Sequence, residues 1–253
     1  MYEEGRLQPL VHFASGEQQP ARLLLLADAS GSMDASEKLA SVRMVMTQLL
    51  AGLGPEDRVA LAGFDSRYFG VVPFTDDKQQ ILSKLDELRP FGATALHDAL
   101  DKAAQDIASH GEGRRAVVVQ TDGVDNASQR TPEEVIARSR ALDVPIYTVS
   151  VVSPLDDPTS RLFVGARPES RGEATRGSDA LTRYAAFSGG AGFTVSDFRG
   201  LKLAADQIVA ELKHQYRLGY EPPAGPAVFR RVEVRTTRRG VVVRTRSGYV
   251  PAS

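Results

Sequence analysis

The chain has 253 residues, 42 % hydrophobic and 25 % charged, which is the composition of an ordinary soluble globular protein long enough for either one large α/β domain or a domain plus an appendage. Its 31 basic and 32 acidic residues leave a formal net charge of −1, giving no electrostatic case for nucleic acid or an anionic membrane as partner. Cysteine is absent, which excludes disulfides, thiolate metal sites and cysteine nucleophiles, and no apolar run approaches the roughly 20 residues needed for membrane insertion.

Met1–Gly5 is acidic and holds no apolar signal core, so the chain shows no export address of its own. Arg6–Phe13 has strand character, with Pro9 restricting it to a sheet edge. Leu23–Asp28 is a continuous apolar run that stops at the small-residue loop Ala29-Ser30-Gly31-Ser32. Leu39, Val42, Val45, Met46, Leu49 and Leu50 follow at helical spacing, with Asp34 and Glu37 in capping-box positions. Val59–Phe64 and Phe69–Phe74 read as strands. Ile81, Leu82, Leu85 and Leu88 outline a helix ended by Pro90, and Thr94 opens another that carries Leu96, Leu100, Ala103, Ala104 and Ile107 on one face.

Ala116–Gln120 is a strand of buried type leading into Thr121-Asp122-Gly123, and Thr131-Pro132-Glu133-Glu134 is a helix start with a cap, a first-turn proline and acids at the positive dipole end. Ile146–Val152 is a further strand. Pro154 to about Asp179 is rich in Arg, Gly, Pro, Ser and Glu and is expected to be a long mobile loop whose arginines are solvated. A helix near Leu181–Phe187, a strand at Gly192–Val195 and a helix at Leu201–Lys213 complete the alternation. Phe229–Thr236 and Val241–Ser247 then alternate with period two around an Arg-Arg-Gly turn, which predicts a β-hairpin.

This order predicts an α/β fold: a Rossmann-like, doubly wound, mostly parallel sheet flanked by helices, with a small antiparallel β appendage built from the two termini. The non-alternating runs Leu23–Ala27 and Ala116–Val119 fit central strands buried on both faces. Residues 1–21 form the N-terminal edge element, 22–215 the α/β domain and 216–253 the C-terminal hairpin.

Three post-strand segments carry chemistry: Asp28-Ala29-Ser30-Gly31-Ser32, Gly92-Ala93-Thr94 and Thr121-Asp122-Gly123. Loops after the carboxyl ends of parallel strands converge on one crevice. Taken singly, the first is a loop with local side-chain to backbone bonds, Thr94 a helix cap and Asp122-Gly123 a turn. Taken jointly, Asp28, Ser30, Ser32, Thr94 and Asp122 form an all-oxygen cluster of two carboxylates and three hydroxyls, which suits a hard cation such as Mg²⁺. Asp98 is placed for dipole compensation in its helix, while Asp65, Asp125 and Asn126 read as a solvated rim. His12, His97, His110 and His214 lack ligand spacing and read as structural or surface residues. Tyr216, Tyr220 and Tyr249 read as packing between tail and body.

The ordered set Asp28-x-Ser30-x-Ser32, Thr94 and Asp122 resembles the metal-ion-dependent adhesion site of von Willebrand factor A domains. Leu23–Met33, Gly92–Leu100 and Val117–Gly123 are similar to that family's strand-loop blocks, and the resemblance covers about residues 22–215. The ends, Tyr2-Glu3-Glu4-Gly5…Gln8-Pro9…His12-Phe13 and Gln215-Tyr216-Arg217-Leu218-Gly219-Tyr220…Phe229-Arg230…Arg246-Ser247-Gly248-Tyr249, resemble a bacterial subfamily whose members are often exported. The resemblance implies Mg²⁺ or Mn²⁺ held directly by Ser30 and Ser32, through water by Asp28 and Asp122, and directly or through water by Thr94. It also implies a protein partner whose Asp or Glu carboxylate completes the octahedron, a non-enzymatic binding role, and a cell-envelope setting. The alternative is a Mg²⁺-dependent phosphoryl-transfer enzyme. That reading wants a second acid two residues after Asp28, where Ser30 stands, and a lysine, which none of the three loops supplies.

Overall fold

Leu23–Ala27 becomes the centre of the protein because every side chain in it is apolar and both of its faces can be covered. The computed structural model describes residues 1–15, 20–33, 36–111, 113–122, 125–151 and 179–251, without the side chains of residues 36 and 37. Of the loop expected from Pro154 to about Asp179, residues 154–178 lie outside the described residues, as do Gly123 and the capping box of Asp34 and Glu37, whose side chains are not described. In chain order the elements are β1 (Tyr2–Glu3), β2 (Arg6–Leu7), β3 (His12–Ser15), β4 (Ala21–Asp28), α1 (Ser36–Gly52), β5 (Arg58–Phe64) and β6 (Tyr68–Thr75). There follow α2 (Lys78–Leu85), α3 (Leu96–Ser109), β7 (Arg114–Thr121), α4 (Pro132–Leu142), β8 (Ile146–Val151) and α5 (residues 179–188). The chain closes with β9 (Gly192–Val195), α6 (Phe198–Lys213), β10 (Tyr216–Gly219), β11 (Arg230–Glu233) and β12 (Gly248–Tyr249).

The central sheet has the order β6-β5-β4-β7-β8-β9. All its pairings are parallel except β5–β6, the hairpin at one edge, where Pro73 is tolerated. Strand alternation sends Leu23, Leu25 and Ala27 to one face with α1, α2 and α6, and Leu24 and Leu26 to the other with α3, α4 and α5. The chain is therefore wound on both faces of a mostly parallel sheet, as its sequence predicts. Thr131 caps α4 with a complete capping box and Pro132 in the first turn, also as predicted. The second helix ends at Leu85, well before Pro90, because Asp86 caps it and Leu88 turns back onto the Leu85 carbonyl.

The two termini build the small antiparallel appendage together, as predicted. β1 sits between β2 and β11, β11 pairs with β12, and β3 pairs with β10, all antiparallel. Arg6–Phe13 is split in two, with Pro9 in neither strand. The hairpin partner of β11 is Gly248–Tyr249 rather than Val241–Ser247. The reason is a competing dock: the Ser247 N–H donates to the Phe187 carbonyl, and Arg246 pairs with Asp143. Gly189 has no Cβ there, which lets the backbone of Thr245 and Arg246 pass across the end of α5. Arg140 lies 4.4 Å over the Phe187 ring and 4.8 Å over that of Phe229, joining tail and body by cation–π contact. Tyr220 and Tyr249 serve the N-terminal strand instead, where both hydroxyls donate to buried Glu3, which Arg230 also contacts at 3.0 Å.

Candidate metal centre

At the carboxyl end of the sheet, Asp28 terminates β4 and Thr121 terminates the neighbouring β7. The Thr121 hydroxyl donates to Asp28 Oδ2 at 2.6 Å, and the Ser30 N–H donates to Asp28 Oδ1 at 2.9 Å. Asp28 is therefore only 2 % exposed, and its carboxylate fixes the loop that follows it. That loop continues into a single 3₁₀ turn, Gly31–Met33, anchored by the buried Met33 side chain. The turn brings the Ser30 and Ser32 hydroxyl oxygens within 3.0 Å of each other.

The second loop is pinned against the first. The Phe91 N–H donates to the Ala29 carbonyl, and the Gly31 N–H donates to the Gly92 carbonyl at 3.0 Å. Gly92 adopts φ +80°, which lets its carbonyl turn toward Gly31 and favours glycine. Two residues on, Thr94 is buried, but it is not the helix cap that its position suggests. Ala95 is the cap residue of α3 and makes no side-chain cap bond. The Thr94 backbone is instead held by the loop after β7: its N–H donates to Asn126 Oδ1 at 2.8 Å, and its carbonyl accepts the N–H groups of Asn126 and Ala127.

Asp125 and Asn126, expected on a solvated rim, are thus fasteners. Asp125 accepts the His97 N–H and the Ser128 hydroxyl, and Asp98 accepts the N–H groups of Gln129 and Arg130. Asp98 therefore secures this loop, which goes beyond simple dipole compensation. Asp65, just after β5, fastens the Thr94 loop instead, its carbonyl accepting the Ala95 N–H at 2.7 Å. His97 bonds the Tyr184 hydroxyl at 2.7 Å, and burial holds it below its ordinary value despite the nearby charges of Asp125, Asp98 and Glu133.

Burial raises the Asp28 carboxyl; hydrogen bonds from Ser30 and Thr121 oppose this and the charge of Asp122 reinforces it, so the group is pushed up to about 6. Asp122 itself meets a residue that the sequence reading overlooked. Lys38, in the first turn of α1, donates to Asp122 Oδ2 at 2.8 Å and to the Ser32 carbonyl at 2.9 Å. A protein cation thus bridges the first and third loops. Among the described residues no group of three or more His, Asp or Glu side chains gathers as a metal site. Here the donors are two carboxylates and neutral hydroxyls. Their all-oxygen chemistry, together with a stand-in ammonium already among them, fits a hard divalent cation. A cleft of about 210 Å³ opens beside Asp28, lined by Ala27, Leu39, Val42, Leu88, Arg89 and Pro90. Phe91 stands exposed next in sequence.

Residues 23–124 match the family described as von Willebrand factor type A domain. A stretch of 152 residues, 57 % of this chain, is 28 % identical to an uncharacterized protein of Borreliella burgdorferi, and the chain spans less than half of that relative, 43 %. Among solved structures, the conserved hypothetical protein BatB from Bacteroides thetaiotaomicron is similar with a TM-score of 0.58 and 18 % identity, over 76 % of this chain and 98 % of its own. The vWF domain of the type V pili tip protein Mfa5 from Porphyromonas gingivalis is similar with a TM-score of 0.56 and 14 % identity, over 76 % of this chain and 95 % of its own. The sequence match and these two folds agree with the six-stranded sheet covered by helices on both faces: residues 23–124 are similar to the von Willebrand factor type A domain, and the chain has the fold of these two proteins.

Proposed function

We propose that the chain is a divalent-metal-dependent protein-binding module, holding Mg²⁺ or Mn²⁺ on Asp28, Ser30, Ser32, Thr94 and Asp122 and capturing an Asp or Glu carboxylate of a protein partner. The observation that carries this reading is the state of Asp28: it is buried, given only neutral donors, set near a second carboxylate and pushed up to about 6. A bound divalent ion supplies the missing positive charge and, with few anionic ligands of its own, an electron-poor centre for an outside carboxylate. The protein's part is preorganisation. Asp28 orients Ser30, the 3₁₀ turn sets Ser32 beside it, and Asn126 with the Asp65 carbonyl fixes the Thr94 loop. Mfa5 is a pilus tip protein, so a cell-envelope protein is the first partner to seek.

One observation favours the phosphoryl-transfer alternative: Lys38 supplies from α1 the lysine that the loops lack. Against it, Ser30 occupies the position of the second acid, and both Asp28 oxygens accept hydrogen bonds in a group too buried to attack a substrate. Hydrolysis of a generic phosphomonoester with Mg²⁺ separates the two readings.

The binding reading is tested by affinity capture with Mg²⁺ and elution with EDTA, beside calorimetric Mg²⁺ titration of variants. Thr94→Ala should keep weak metal binding while losing about 2 kcal/mol of partner affinity, the size of a lost charge-assisted contact. A partner retained in EDTA would sink this reading, as would an Asp28→Ala protein that stays folded and binds metal like its parent.

A further inference from the structure

We infer that Lys38 is a built-in placeholder for the divalent ion, and that it sets both the affinity of the site and its selectivity against monovalent cations. The inference rests on the metal-binding reading above and adds to it a residue outside the ligand set. Lys38 belongs to α1, yet its ammonium lies between the Ser32 carbonyl and the carboxylate of Asp122, which is 84 positions away from it along the chain. Its side chain is 31 % exposed and that of Asp122 13 %, so the pair is shielded from water on the protein side and open on the other. An ammonium in that position is free to withdraw to solvent along its four-carbon stem.

The consequences follow from charge. With no ion bound, Lys38 offsets part of the negative charge of Asp122, and it ties the Ser32 turn to the loop after β7. The cluster therefore keeps its shape without metal. When a divalent cation enters, Asp122 cannot serve two cations on the same oxygens at full strength, and the ammonium is repelled. Loading then includes the work of moving Lys38, so the site binds more weakly than its oxygens alone allow. Sodium or potassium brings no more charge than the ammonium already present and gains nothing by displacing it. Only a doubly charged ion does.

Lys38→Met removes the charge and keeps most of the length. Three changes are expected together. In EDTA the variant should melt at a lower temperature than the parent, because Asp122 loses its cation. Calorimetry in low salt should show Mg²⁺ binding at least tenfold tighter. Adding KCl should weaken Mg²⁺ binding to the variant far more than to the parent, because potassium now competes. Lys38→Gln serves as a second neutral variant should the methionine form fold poorly, and Lys38→Arg, which keeps the charge, should behave like the parent. If the parent titrates with Mg²⁺ and the neutral variants bind no more tightly, the placeholder role is wrong and the metal reading survives. If neither parent nor variants give heat or a melting shift with Mg²⁺ or Mn²⁺, the metal reading falls and this inference falls with it.

Discussion

Glu3 and Asp28 are both buried carboxylates, and their surroundings drive them in opposite directions. At Glu3, burial raises the carboxyl, but hydrogen bonds from Tyr220, Tyr249 and Arg230, with the Arg230 charge, more than offset it, and the group lies below its ordinary value. At Asp28 burial wins, and the group is pushed up to about 6. The difference lies in the partners. Glu3 has a guanidinium of its own at 3.0 Å, whereas Asp28 has a backbone N–H, a threonine hydroxyl and a nearby negative charge. A buried acid with its own cation fastens a fold. One left with neutral donors keeps an unmatched charge in the fold, and such groups gather where a protein binds something.

Removing the cation from the matched pair should have the largest effect. Arg230→Met leaves Glu3 buried and unpaired, and urea unfolding at neutral pH should show a loss of about 3 kcal/mol. The folded value of Glu3 lies below its unfolded value, so its stabilising share is complete above the unfolded value of 4.5 and is lost as pH falls through the lowered one. The deficit of the variant should therefore shrink in acid. An equal deficit at both pH values would mean that packing, not charge, is what Arg230 provides.

Asp28 should respond with the opposite sign. Its folded value is above its unfolded one, so the ionised group weakens the metal-free fold above about pH 6, and that penalty fades as pH falls toward 3.8. Asp28→Asn should stabilise the EDTA-treated protein by ~1–3 kcal/mol at pH 7 while abolishing Mg²⁺ titration. A destabilised variant would place Asp28 beside Glu3 as a structural acid. The smallest effect concerns a neutral group. Gln120, fully buried on β7 next to Thr121, has neither amide atom hydrogen-bonded among the described residues. Gln120→Met should raise stability by about 1 kcal/mol in thermal unfolding. A loss of stability would show that the amide is satisfied in solution.

The central sheet was legible because Leu23–Ala27 and Ala116–Val119 carry no polar face, which only a doubly covered strand accepts. Asp28, Ser30, Ser32 and Asp122 were legible because they end or follow the adjacent parallel strands β4 and β7, whereas Gly92-Ala93-Thr94, expected after a strand, lies between α2 and α3 and reaches the site through its backbone bonds to the first and third loops. Lys38 was not legible: its distance from Asp122 along the chain hides a contact made only when the start of α1 meets the loop after β7. Asp125 and Asn126 read as rim residues because their bonds run to the backbone of Thr94 and His97, which no side-chain pattern reveals. The position of β12 was misread for a similar reason, since period-two alternation in Val241–Ser247 says nothing of the Phe187 carbonyl that claims Ser247.

The pairing of Tyr2 with Glu233 has a consequence for how long the native state lasts. It joins residues from opposite ends of the chain, so the closing loop is nearly the whole protein. Contacts of such separation return their free energy only after the intervening chain is ordered. The α/β body should therefore form first and the terminal strands latch last, outside the rate-limiting nucleus. In stopped-flow experiments Arg230→Met should then speed unfolding and leave the folding limb almost unchanged, whereas a slowed folding limb would place the latch in the nucleus. On this view the short terminal strands govern how rarely the whole molecule opens.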